Sequence, residues 1–126
     1  MNLIKVFKKL IIVNLLTILF FIVSPFTIPE SLKVSYFNNS VEVADVYFLF
    51  VLLWILAFIV NMYLLYTFKN PGKQMYLYIF IAIIILPLFG GPIAFDPIFY
   101  IIDGLGMAVN GALLFMLYYT PISKKF

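Results

Sequence analysis

Four long apolar runs, separated by short polar stretches, dominate the pattern of this chain. The first three contain no charged residue and cover Leu10–Pro29, Val46–Phe68 and Gln74–Phe95. The fourth covers Pro97–Tyr119 and contains one acid, Asp103. Because a helix of about 20 apolar residues spans the hydrocarbon core of a bilayer, the pattern predicts four transmembrane helices.

Proline and glycine positions indicate where these helices begin and end. Pro87 and the pair Gly90 and Gly91 interrupt the third run and should end its helix early. Pro97 stands at a helix start, where proline is tolerated, and Pro121 follows the fourth run. The predicted helices cover residues 8–28, 43–68, 74–89 and 97–119, within a single membrane domain that covers residues 1–126.

The polar stretch between the second and third runs is very short. It contains Asn70-Pro71-Gly72, a combination typical of tight turns. Two long helices joined by such a turn must be antiparallel neighbours. The expected fold class is therefore an all-α integral membrane protein, an antiparallel bundle of four transmembrane helices.

Composition supports a membrane location and narrows the chemistry. Hydrophobic residues make up 66% of the chain and charged residues 10%, against about 25% charged in soluble proteins. The sequence contains no cysteine and no histidine, which excludes disulfides, thiol chemistry and the commonest general base and metal ligand. Since no catalytic set or phosphate-binding loop occurs either, we expect no enzyme activity, no cofactor and no metal.

The lysines predict the orientation in the membrane. Seven of the eight lie before the first run, between the second and third, or after the fourth, namely Lys5, Lys8, Lys9, Lys69, Lys73, Lys124 and Lys125. Four crossings place these regions on one side, which the positive-inside rule makes the cytoplasm. Together with residue usage typical of a bacterial genome, this predicts a multi-pass protein of the bacterial cytoplasmic membrane with both termini inside. Lysines beside membrane spans give no reason to expect nucleic-acid binding.

Two outer loops of unlike character should connect the helices. The first, between the first and second runs, contains a β-branched and aromatic stretch at Val34–Val43. This stretch predicts a short hairpin or an interfacial flap. The second, Phe89–Pro97, is apolar apart from Asp96 and should lie in the interface or dip into the bundle. Together the loops could roof an outward-facing pocket.

Aromatic residues agree with these boundaries. Most tyrosines fall towards the ends of the runs, as an interfacial belt requires, and Tyr76 is one of them. Trp54 is the exception, near the middle of the second run, where its indole N–H needs a partner. We expect Trp54 to be packed or lipid-facing rather than stacked on a ligand.

The fourth run contains the most informative acid. Asp103, Gly106 and Asn110 recur at helical spacing and share one face. Asp103 should lie about 9 Å along the helix from Pro97, near the outer boundary of the membrane. It is either a helix-start acid in contact with water, which is the plainer interpretation, or a ligand, ion or partner site. Asp96 is the second acid of this region and a weaker candidate.

The same helix contains a stripe of small residues. Gly104, Ala108 and Ala112 are spaced by four, Gly111 widens the stripe, and Gly106 adds a further glycine. Small residues let two membrane helices approach closely. We therefore expect these residues to pack against another helix, within the bundle or across an oligomer.

Three asparagines, Asn14, Asn61 and Asn110, lie within the runs. An amide in hydrocarbon needs a partner, and interhelical hydrogen bonds contribute about 0.6–2 kcal/mol. The plainer interpretation is that the amides bond to one another or to nearby backbone. The alternative is that they line a cavity for a small solute together with Asp103.

These features favour a non-catalytic protein that acts through a membrane-protein partner, as an accessory subunit, an immunity protein or a regulatory protein. The alternative is a small oligomeric channel or carrier for a small solute or ion, with the polar residues in one cavity. A site for a lipid or another hydrophobic ligand beneath the outer loops is a third hypothesis. The expected partners are the lipid bilayer and either a second membrane protein or further copies of the chain.

Overall fold

The computed structural model describes residues 2–27, 45–89 and 97–126. The predicted hairpin or flap at Val34–Val43 and the loop residue Asp96 lie outside these ranges. The described residues form four α-helices, which confirms the number predicted, and two short 3-10 helices. The α-helices are α1 (Leu3–Thr27), α2 (Asp45–Tyr66), α3 (Asn70–Ile85) and α4 (Pro97–Tyr119), and the 3-10 helices are Leu86–Phe89 and Pro121–Lys125.

Three helices are long and apolar enough to cross a membrane, at Leu3–Val23, Leu49–Tyr66 and Tyr100–Tyr119. The remaining helix, α3, has 16 residues, and its 3-10 continuation adds 4. Together these measure about 32 Å at the usual rises per residue, close to the roughly 30 Å of a hydrocarbon core. Large apolar side chains such as Leu16 and Ile84 are exposed, so the surface is compatible with a lipid environment.

The four helices form a closed ring. The largest contacts join α1 to α4 and α2 to α3, while smaller contacts join α1 to α2 and α3 to α4. Phe7, near the start of α1, touches Phe126, which follows α4, so these two helices are antiparallel. The short turn between α2 and α3 makes that pair antiparallel as well.

Aromatic rings join three chain segments at one end of the bundle. The ring centroid of Phe7 lies 5.8 Å from that of Phe68 and 6.2 Å from that of Phe126, and the last two are 5.5 Å apart. Nearby, the Lys73 Nζ donates to the Ser123 Oγ at 2.6 Å. The α1 start, the α2–α3 turn and the α4 end therefore meet at one end, which we call the lysine end because these segments contain Lys5, Lys8, Lys9, Lys69, Lys73, Lys124 and Lys125.

The turn between α2 and α3 lies earlier in the chain than Asn70-Pro71-Gly72 predicts. The Lys69 N–H donates to the Leu64 carbonyl at 2.9 Å, and the Phe68 N–H donates to the Leu65 carbonyl at 3.1 Å. These two bonds form a Schellman motif, in which one residue adopts the left-handed conformation. Phe68 occupies that position with a φ of 54°, although glycine is the usual residue there.

Two helices begin earlier than the apolar runs predict. The first, α1, starts at Leu3 rather than residue 8, because the side chain of Asn2 accepts hydrogen bonds from two backbone N–H groups of the first turn. The third, α3, starts at Asn70 rather than residue 74. Pro71 lies in its first turn, where the missing N–H of proline costs nothing.

Gly72 lies in the first turn of α3, where this helix comes close to the end of α2. A β-carbon there would be 2.9 Å from the Leu64 β-carbon and 3.2 Å from backbone atoms of Leu64 and Leu65. We expect Gly72→Ala to lower the free energy of unfolding by about 1–3 kcal/mol, because backbone atoms cannot move aside for the added methyl group. Denaturant-induced unfolding in detergent micelles measures this change.

Gly111→Ala in α4 is the matched control. Gly111 is exposed, and a β-carbon there would meet nothing within 4 Å. This variant should keep the free energy of unfolding or raise it by up to about 1 kcal/mol, because alanine favours the helix. A Gly72→Ala variant as stable as the native chain would contradict the close approach of α2 and α3.

Candidate functional site

Buried side chains occupy one half of the described bundle. On the four helices they are Phe7, Ile11, Asn14, Thr17, Phe58, Asn61, Met62, Leu65, Gly72, Tyr76, Ile79, Gly106, Val109, Asn110, Leu113, Met116 and Leu117. None of residues 18–23 on α1, 49–57 on α2, 80–85 on α3 or 100–105 on α4 is buried. The helices therefore pack closely in the half towards the lysine end, the lysine half, and separate in the other, the open half.

The open half contains a cavity of about 680 Å³ lined by residues of all four helices. This volume falls within the roughly 300–1,000 Å³ of small-molecule sites in proteins. Most of the lining is apolar, with Phe21, Val51 and Ile83 on three of the walls. The polar lining residues with an amide, hydroxyl or carboxylate group are Asn14, Thr17, Asp103 and Asn110.

Asp103 supplies the one carboxylate among the described lining residues, which include no lysine. Its side chain is half-buried. Gly106 and Asn110 line the same cavity, so the face predicted from the spacing of these three residues is turned towards the interior. Asp96, the other candidate acid, lies outside the described residues.

Two amides and a phenol close the inner end of the cavity. The Asn14 Nδ2 donates to the Asn110 Oδ1 at 2.6 Å, and the Tyr76 hydroxyl donates to the same oxygen at 2.7 Å. All three side chains are buried, and on their own helices Asn14 and Asn110 are the lining residues nearest to the lysine end. This network, which we call the amide network, joins α1, α3 and α4 at the boundary between the two halves.

Asn61 belongs to a different contact. It is fully buried on α2, and its Nδ2 donates to the Gly72 carbonyl at 2.8 Å. This bond ties α2 to the first turn of α3, next to the close approach at Gly72. Of the four residues that the solute hypothesis places in one cavity, Asp103, Asn110 and Asn14 line it, and Asn61 does not.

Of two aromatic residues that face the interior, the sequence predicts the environment of Trp54 but not that of Tyr76. Tyr76, expected in an interfacial belt, is instead fully buried in the amide network. Because α3 begins at Asn70, Tyr76 lies almost two turns inside the helix. Trp54 is packed, as expected, with its indole N–H donating to the Ile79 carbonyl at 3.2 Å and its ring 5.4 Å from that of Phe58. It also lines the cavity.

The small residues of α4 divide between two faces. Gly104 and Gly111 are exposed, and a β-carbon at either would meet nothing within 4 Å. Ala108 is also exposed, and Ala112 is half-buried. Gly106 faces inward, where a β-carbon would lie 3.6 Å from a threonine hydroxyl of α1. Gly106 therefore packs within the bundle, whereas Gly104, Ala108 and Gly111 are exposed, and their contact across an oligomer or with another protein stays a prediction.

Comparisons with other proteins add no family to this geometry. No protein-family model, no curated protein and no solved structure matches the chain. The geometry leaves two candidate surfaces on α4. Its inner face lines the cavity through Asp103 and Asn110, and its outer face exposes Gly104, Ala108 and Gly111.

The amide network should contribute measurably to stability. Asn14→Ala and Asn110→Ala should each lower the free energy of unfolding by about 0.6–2 kcal/mol, because each removes the interhelical hydrogen bond between the two amides. The double variant should lose less than the sum of the two single losses, because both remove the same bond. Unfolding in mixed micelles provides all three values.

Asn70→Ala is the control, because Asn70 is an exposed amide at the start of α3. Its free energy of unfolding should match that of the native chain. Strictly additive losses in the Asn14→Ala and Asn110→Ala pair would show that the two amides do not stabilise each other.

Proposed function

We propose that this chain is a multi-pass protein of the bacterial cytoplasmic membrane that acts without catalysis, by binding a transmembrane helix of a partner protein. Such a partner would make it an accessory subunit, an immunity protein or a regulatory protein. The observation that carries the proposal is the outward orientation of Gly104, Ala108 and Gly111 on α4, which we call the α4 notch.

The notch is a gap in an otherwise bulky helix surface. Ile101 and Phe115, which flank it along the helix, are 69% and 59% exposed. Together with the notch residues they recur at alternating spacings of three and four, the pattern of a helix–helix seam. From Gly104 to Gly111 the notch is about 10 Å long, enough for the width of one crossing helix.

The bilayer explains why small residues point to a helix. Lipid tails are as apolar as leucine, so burial of large apolar side chains gives membrane helices little reason to associate. Association instead depends on close backbone approach, which Gly104, Ala108 and Gly111 permit. A transmembrane helix seated in the notch would gain dispersion contacts that disordered lipid tails make less well.

A channel or carrier for a small solute is the alternative function. Fully buried side chains fill the lysine half, among them Phe7, Phe58, Leu65 and Leu113. The cavity of the open half ends at Asn14 and Asn110, whose amides are bonded to each other. This arrangement favours binding over conduction through a single copy of the chain.

The orientation in the membrane is part of the proposal. Seven lysines belong to segments that meet at the lysine end, and the positive-inside rule assigns this end to the cytoplasm. Three helices have the length and hydropathy of membrane spans. The remaining helix, α3, lies between two of them in the ring, and with its 3-10 continuation it has the length to cross as well.

Cysteine labelling tests this orientation, because the chain has no native cysteine. Asn70→Cys and a cysteine appended after Phe126 should react with a membrane-impermeant maleimide only after the cells are permeabilised. Asn39→Cys, in the connection between α1 and α2, should react in intact cells. Labelling of either of the first two cysteines in intact cells would overturn the orientation.

A photocrosslink from the edge of the notch tests the partner. Ile101→Cys, labelled with benzophenone maleimide and illuminated in native membranes, should give a discrete adduct larger than the chain alone. Adding Ala108→Leu should remove most of the adduct, because a leucine fills the notch. Since Ala108 is exposed, this substitution should leave the free energy of unfolding of the isolated chain unchanged.

Leu49→Cys is the matched control for the crosslink. Leu49 is an exposed residue four positions after the start of α2, as Ile101 is in α4, so both labels lie at a similar depth. This control should give no discrete protein adduct. An adduct that persists with Ala108→Leu would contradict the notch, and an adduct between two copies of the chain would assign it to self-association instead.

A further inference from the structure

The cavity of the open half supports an inference that is independent of the partner helix. We propose that this cavity binds an amphiphilic cation, a molecule with a single positive charge at one end of an unbranched apolar chain. The observation behind the proposal is an apolar enclosure that contains one carboxylate.

Charge complementarity selects a cation. The Asp103 carboxylate is half-buried in the cavity wall, and the described lining residues contribute no positive charge. The described lysines belong to segments at the opposite end of the bundle. A carboxylate beside a region of low dielectric constant attracts a cation more strongly than it would in water, and it repels an anion by the same effect. An acid in such a place is expected to have a partner.

The remainder of the cavity fits an apolar chain. Along α4, the wall from Asp103 to Asn110 is about 10 Å long, and the facing walls include Phe21, Val51 and Ile83. At the inner end, the amides and the Tyr76 hydroxyl already bond to one another. The Asn14 Oδ1 is buried without a hydrogen-bond partner, so the inner end presents an uncharged acceptor. The charge lies at the Asp103 end, and most of the lining around the volume of about 680 Å³ is apolar.

The bilayer offers a route into the cavity. Ile22 on α1 and Leu52 on α2 line the cavity and are 37% and 44% exposed. The contact between these two helices is smaller than those of the α1–α4 and α2–α3 pairs, and the proposal places the entrance of the cavity between them. A single-chain amphiphile can enter sideways through this gap while its charged end stays level with Asp103, near the membrane boundary.

Trp54 provides a direct probe of occupancy. It is the single tryptophan of the chain and lines the cavity, so its fluorescence reports quenchers that enter. Three probes share one bromine-tipped chain and differ in charge: (11-bromoundecyl)trimethylammonium, 11-bromoundecanol and 11-bromoundecanoate. Each probe is titrated into nanodiscs of a zwitterionic lipid that contain the full chain. The three titrations are compared at equal amounts of lipid-bound probe per lipid molecule, which are measured separately in nanodiscs without protein.

The cation should quench Trp54 saturably, with an affinity at least about tenfold above those of the alcohol and the acid, as expected for one charge pair beside a region of low dielectric constant. Asp103→Asn should remove this preference and leave quenching by the alcohol unchanged. Asp103→Glu should retain it, because the charge is kept. The alcohol titration and the free energy of unfolding show that each variant remains folded.

Two results would overturn the proposal. One is equal, unsaturable quenching by all three probes, which is simple partition into lipid. The other is an Asp103→Asn variant that keeps the preference for the cation.

The notch and the cavity are tested separately, because Ala108→Leu should leave cation binding intact and Asp103→Asn should leave the Ile101→Cys crosslink intact.

Discussion

The hydrogen bond from Asn14 to Asn110, 2.6 Å long and buried, joins the two helices that make the largest contact in the bundle. No water competes for an amide in hydrocarbon, so a slip of α1 along α4 would leave the Asn14 amide without this partner and take one of two donors from the Asn110 Oδ1. The bond therefore fixes the register of this helix pair. That register turns Asp103 and Gly106 towards the interior and leaves Gly104 facing outward.

The cavity follows from contacts that all lie at one end. A three-residue turn and the close approach at Gly72 hold α2 against α3, and the rings of Phe7, Phe68 and Phe126 join the same end. Packed membrane helices cross at about 20°, so helices held together at one end separate along their length. On the open side of the amide network, none of residues 18–23, 49–57, 80–85 and 100–105 is buried, and the cavity occupies the space between the helices.

Local patterns account for the parts of this fold that the sequence predicts. Apolar length gives four helices, and helical spacing places Asp103, Gly106 and Asn110 on one face. The burial of Tyr76 escapes prediction because the charge-free run begins at Gln74, four residues after the start of α3, a shift of about 6 Å along the helix. The partner of Asn61 is a backbone carbonyl, which no side-chain pattern reveals. The cavity itself depends on how helices separate, a property of the whole bundle that no local stretch contains.

Both proposals rest on α4, and the composition of the helices explains why. Most of the exposed surface of the other three is large and apolar, a surface that lipid solvates without preference. In contrast, α4 exposes glycine and alanine on one face and carries a carboxylate on the other. Both faces differ from a surface that lipid alone would favour. The small residues leave a space that a helix fills better than lipid tails do, and the half-buried carboxylate needs an opposite charge. A path through the bundle would also have to break the amide network and part the packed lysine half, whereas binding at either face of α4 leaves both intact.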